Sequence, residues 1–184
     1  MTSQTVTTSG VDFVRRIVRE ARQVLDGTMA DVTQAQADVI PPGIANPLGA
    51  TYAHVVCSED MIVQGMFRQA APLASGTWAG RTGLSEPMPM PGPGWADYGP
   101  WTRRVKIDLA ALRAYGQGVG EQTDSWLASL TDADLERPLD LSGIGFGQHT
   151  LATAVALLVA NHLGTETGEI AVLKGIQGAR GYPM

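Results

Sequence analysis

A single cysteine, Cys57, stands in a chain of 184 residues. It excludes an internal disulfide and gives no sign of an oxidising compartment. Set in an apolar helical stretch, it reads as a buried, inert thiol and not as a nucleophile. Basic charge is also scarce: 13 lysines and arginines face 18 acids, for a net charge of −5. Phosphate binding needs a basic face, so a nucleic-acid partner is not expected. The one local cluster, Arg15, Arg16, Arg19 and Arg22, sits on a helix whose apolar face lies elsewhere and reads as a solvated face. No hydrophobic run reaches membrane-spanning length. The opening MTSQTVTTSG has neither a basic region nor an apolar core, so no secretory signal is read there. A cytoplasmic protein with no membrane partner is the default expectation. No serine–histidine–acid set and no internal repeat is present.

What the chain does contain is helical periodicity. Residues 1–9 read as a disordered tail ahead of a single domain over 10–184. Val11, Val14, Ile17, Val18, Ala21, Val24, Leu25, Met29 and Val32 then recur at three- and four-residue steps, which predicts an amphipathic helix starting near Ser9 or Asp12. Pro41-Pro42-Gly43 ends that unit. Asn46-Pro47 predicts a second helix with asparagine as cap and proline in the first turn. Its stripe runs from Leu48 through Tyr52 and Val55 to Phe67, with His54 at the edge and Ser58 one turn later. From Pro72 to Gly99 prolines and glycines exclude helix and interior strand. So long an irregular stretch inside a compact domain predicts a lid or crossover, held down by Trp78, Met88, Met90 and Trp95. A third helix is expected from Pro100 to Leu130, threatened near its middle by Gly116, Gly118 and Gly120. After the short turn TDADL and an extended PLDLSGIGFG, a fourth helix is expected from Gln148 or His149. The whole predicts an all-α four-helix bundle with a long crossover between helices 2 and 3. The first two helices are expected to be antiparallel, and the second and third free to run parallel.

The last helix, TLATAVALLVANHLGTETGEIAVLKG, carries the strongest chemical signal. After an almost wholly apolar start it brings Asn161, His162, Thr165, Glu166 and Glu169 into a core helix. Buried ionisable groups need partners, and His162 and Glu166, four apart, project from one face. His149, thirteen residues earlier, lies about 20 Å away along a helix and is excluded. Gly164 and Gly168 suggest a close approach by another helix or a second subunit.

Three segments, NPLGATYAHVVCSED, TDADL and NHLGTETGEI, resemble the DinB/YfiT-like family of metalloenzymes. In that family the last helix usually reads histidine, three residues, histidine, then Arg-Gly-Gln. Here His162 matches the first histidine, Glu166 stands at the second, and Thr167, Gly168 and Glu169 replace the trailing triplet. The resemblance implies a divalent metal, zinc or nickel first and manganese or iron next, held by His54, His162 and Glu166. It further implies a thiol S-transferase-like enzyme acting on a small-molecule substrate with a low-molecular-weight thiol. Asn161 and Glu169 would orient the ligands, and the Pro72–Gly99 loop would roof the pocket with Trp78 or Trp95 as walls. The catalytic residues stay unassigned. The competing reading is a non-catalytic, small-molecule-binding or homodimeric scaffold that lost its metal with the third histidine.

Overall fold

The computed structural model describes residues 8–90 and 96–183. Most of the tail assigned to residues 1–9, and Trp95 in the crossover, lie outside the described residues. The described residues are predominantly helical, with one two-stranded antiparallel hairpin among them. Helix α1 (Gly10–Met29) begins where the Ser9 hydroxyl accepts the Asp12 amide at 3.0 Å, satisfying one of the orphan donors of the first turn. It stops at Met29, short of the expected Val32. Thr33 then opens a one-turn helix, α2 (Gln34–Ala37), through a reciprocal bond with Gln36.

Helix α3 (Leu48–Asp60) widens into π-helical turns over Met61–Phe67. Asn46 does not cap it: Pro47 occupies that position, and the Asn46 side chain instead accepts from the Thr102 hydroxyl. The expected third helix divides at Val105–Asp108 into α4 (Tyr98–Arg104) and α5 (Leu109–Ala128), the second capped by Asp108. The break therefore lies ahead of the glycine triplet, which passes unbroken through α5. A Cβ on Gly116 would stand 2.9 Å from the Tyr52 hydroxyl, and one on Gly118 would stand 2.8 Å from the Trp78 ring. These glycines admit neighbours; they do not bend the helix.

The TDADL turn is a single helical turn, α6 (Asp132–Leu135), capped by Thr131. Strands β1 (Pro138–Asp140) and β2 (Gln148–Thr150) then pair, with Leu139 opposite His149. His149 is thus a strand residue, and the last helix starts after it. That helix runs as α7 (Leu151–Val155), a π-helical stretch over Ala156–Asn161, and α8 (His162–Ile176).

Each of α1 and α3 packs against both α5 and α8. Tyr52 meets Gly116, Glu59 meets Thr123 and Phe67 stacks on Trp126, so α3 and α5 run in the same direction. Arg15 meets Asp124 while Met29 meets Arg113, so α1 opposes α5. The first two long helices are therefore antiparallel, but α5 and α8 flank both of them. Leu25, Leu48, Leu112, Leu151 and Trp101 are fully buried between these helices.

Arg22 departs from the expected solvated face. It turns inward to the buried Glu59, whereas Arg16 stays in solvent. The crossover is fastened to the core. Asp60 accepts the Leu73 and Ala74 amides, both at 2.9 Å, and the Tyr115 hydroxyl at 2.7 Å. Leu84 also pairs with Ile107. Gly83 adopts φ +80°, and a Cβ there would sit 2.6 Å from the Asp108 carbonyl, so only glycine lets the crossover close on the start of α5. Among the described residues no helix is long and apolar enough to cross a membrane.

Candidate metal centre

Antiparallel packing of α3 on α8 brings His54 against His162 and Glu166. The i, i+4 spacing on α8 places the latter two side by side, and His54 meets them from α3. His54 Nε2 lies 3.1 Å from His162 Nε2, and Glu166 Oε1 lies 3.5 Å from His162 Nε2 and 4.0 Å from His54 Nε2. The shortest distance a single point can keep from all three atoms at once, reached in their plane, is about 2.1 Å, which is within the bond lengths of zinc to imidazole nitrogen and carboxylate oxygen. Two imidazoles and one carboxylate are also a donor set that first-row divalent metals accept. The three residues could hold a metal ion.

The surroundings prepare the two histidines for that role, while Glu166 would have to give up its proton to an ion. All three side chains are mostly buried, at 14%, 23% and 18% exposure for His54, His162 and Glu166. Burial, and next the neighbouring His162, lowers the His54 pKa to about 4, and burial lowers that of His162. Both rings thus favour the neutral form that ligates metal. Burial, and then the Glu169 charge, raises the Glu166 carboxyl to about 7. The Ser58 hydroxyl lies 3.4 Å from His54 Nδ1, one helical turn on. If it accepts from Nδ1–H, the Nε2 lone pair is left pointing at the triad. Tyr98, at the start of α4, packs edge-on against the His54 ring at 5.2 Å between centroids and stacks on Trp101. Burial, with Glu166 and Glu169 next, keeps its hydroxyl protonated well above the usual phenol range.

Other expected site residues are distributed differently. Glu169 is turned towards α3, where it accepts from the Thr51 hydroxyl at 3.3 Å, and it reaches the triad through its charge. Asn161 is exposed, in a surface groove with Ile17 and Gly164. Trp78 packs on Tyr115 and Gly118 of α5 beneath the Arg81 guanidinium. Gly168 admits the Tyr182 hydroxyl, while nothing lies within 4 Å of a Cβ built on Gly164. Cys57 is buried, and burial followed by Asp60 pushes its thiol up to about 12, in keeping with an inert role. Tyr98 was missed because it lies in the last residues of the stretch read as an irregular crossover, Pro72–Gly99, where no periodicity assigns a direction; α4 in fact begins there. Ser58 was readable as His54 plus one turn.

The family model of the DinB superfamily matches residues 17–170. The chain belongs to the DinB superfamily. Two solved structures resemble this DinB-superfamily chain. One is a conserved protein of locus from Enterococcus faecalis, with TM-score 0.74, 16% identity, and coverage of 94% of this chain and 99% of that one. The other is a sibling lethal factor precursor, DfsB, with TM-score 0.62, 20% identity and the same coverage. At these identities the likeness concerns the fold alone. No curated protein matches the sequence.

Proposed function

We propose that this DinB-superfamily chain is a metal-dependent enzyme built as a four-helix bundle, in which His54, His162 and Glu166 hold a divalent ion, zinc or nickel first, for thiol S-transfer. The observation that carries the reading is the common 2.1 Å reach of three donor atoms contributed by two antiparallel helices. When bound, the ion would supply Lewis acidity that lowers the pKa of a thiol or water. The chain's own residues do the rest. Tyr98 packs against the His54 ring, Ser58 would select its tautomer by accepting from Nδ1–H, and Glu169 accepts from Thr51 while its charge reaches Glu166. Burial removes competing water from the three ligands. In the transfer itself, the thiol sulfur bonds to the acceptor carbon, the leaving group departs with its electron pair, and the thiol proton passes to solvent.

A metal-free scaffold is favoured by one observation. Two neutral imidazoles 3.1 Å apart can satisfy each other through a direct Nε2–H···Nε2 hydrogen bond. Titration of zinc or nickel into untagged protein separates the two readings. His54→Ala and His162→Ala are each expected to abolish uptake, and His149→Ala to leave it intact. Equal behaviour of all three variants would show the triad to be wrong. Thiol consumption with an electrophilic acceptor, present in wild type and lost in His54→Ala, is the matching test of the chemistry.

A further inference from the structure

The crossover encloses a feature that the triad does not use, a cavity of about 360 Å³ between α3 and residues 72–90. Its size lies within the range of small-molecule sites. Three of the seven methionines in the chain, Met61, Met88 and Met90, line it together with Leu84, Pro72 and the only cysteine. Such concentration matters because methionine is flexible and polarisable, and it moulds a wall to apolar ligands of differing shape.

The charged groups at its border are already engaged. Both oxygens of Asp60 accept from the Leu73 and Ala74 amides and the Tyr115 hydroxyl. Glu86 is paired with Arg104 at 2.9 Å. What remains facing the cavity is hydrocarbon, sulfur and hydroxyl, so an anionic ligand would lose its hydration there beside the Asp60 carboxylate and without a counter-charge, while Asp60 is itself only 1% exposed with both oxygens already accepting. Cys57 and Met61 follow His54 by three and seven residues on the same side of α3, about 5 and 10 Å along its axis.

We propose that this cavity binds a neutral, apolar small molecule, one or two aromatic rings or a branched hydrocarbon group, and that this is the body of the acceptor whose reacting end faces the triad. The link to the triad rests on the function proposed above, whereas the cavity chemistry stands independently of it.

The neutral dye phenylnaphthylamine is the probe, titrated by fluorescence into the full chain. Saturable binding is expected, weakened about tenfold or more by the filling variants Ala74→Leu and Thr82→Phe, since one methylene in a hydrophobic pocket is worth at least that much. Two variants are used so that a folding defect in one, detected by circular dichroism, leaves the other as the test. Ala152→Leu, in the separate apolar groove between α1 and α7, is expected to leave affinity unchanged. The anionic anilinonaphthalene sulfonate should bind about tenfold more weakly or worse, for want of a counter-charge. A chelator should not alter dye affinity, which separates failure of the cavity from failure of the metal reading. No saturable binding, a loss confined to Ala152→Leu, or preference for the anionic dye would each overturn the proposal.

Discussion

Replacing Arg22 with methionine tests how the polar interior is held. Arg22 extends from α1 past Gly120 of α5 to the Glu59 carboxylate on α3. Glu59 is only 2% exposed and has one further donor, the Thr123 hydroxyl at 2.7 Å. Removing one partner of a buried pair leaves an uncompensated charge, at a cost of about 3–5 kcal/mol. Two features favour the lower end. Thr123 stays in place, and among the described residues Arg22 Nε and Nη1 have no hydrogen-bond partner of their own, so deleting the guanidinium also removes two unmet donor nitrogens. The expected loss for Arg22→Met is therefore about 3 kcal/mol, or about 6–12 °C in melting temperature at this chain length. Urea unfolding followed by far-ultraviolet circular dichroism measures it. The double variant Arg22→Met/Glu59→Leu removes both charges and keeps the apolar volume, so it should recover most of the loss, with a coupling energy of about 2 kcal/mol. A cost below about 1 kcal/mol for the single variant, or a double variant no better than the single, would refute the reasoning.

Three further outcomes are expected. Asp124 is held down to about 2 by Arg19 first, against a smaller opposing effect of burial, and by Arg15. Its folded pKa lies below the ordinary value, so its contribution is present above about pH 4 and is lost as pH falls towards 2. Asp124→Asn should thus cost no more than about 1 kcal/mol at pH 7 and remove part of the acid sensitivity seen in stability-versus-pH curves. Gly116→Ala places a methyl 2.9 Å from the Tyr52 hydroxyl and 3.1 Å from Val56. The strain should cost about 1–3 kcal/mol in a urea melt. Asp60→Ala leaves two amides and the Tyr115 hydroxyl without their acceptor, at an expected cost of about 3 kcal/mol or more. It should also open the crossover to limited proteolysis ahead of the helices, and unchanged cleavage would count against Asp60 as the fastener.

The helices were legible where one face is apolar and a local cap marks the start. Ser9, Thr131 and the stripe of α1 behave as their spacing implies, because these are short-range physics, although Val24, expected in the stripe, is exposed. The grouping of the candidate triad was legible for the same reason: His162 and Glu166 share a helix face, and only His54 had to be brought in from a second helix by resemblance. Long-range packing was not legible. The Gly116–Gly120 triplet looked like a helix break because helix propensity penalises glycine, yet tertiary contacts with Tyr52, Trp78 and Arg22 account for each one. Arg22 looked solvated because its sequence neighbours are arginines, while its partner Glu59 is 37 residues away. The π-helical turns that precede His162 and follow Asp60 leave no mark in residue spacing. Tyr98 reaches His54 only after the crossover has folded back on the core.

The metal content of untagged, freshly purified protein, measured by elemental analysis, tests the central claim most directly. A metal-bound triad predicts close to one equivalent of a single divalent transition metal per chain, or uptake to that level when zinc or nickel is supplied. Less than about a tenth of an equivalent, with no uptake on addition of either metal, would contradict it.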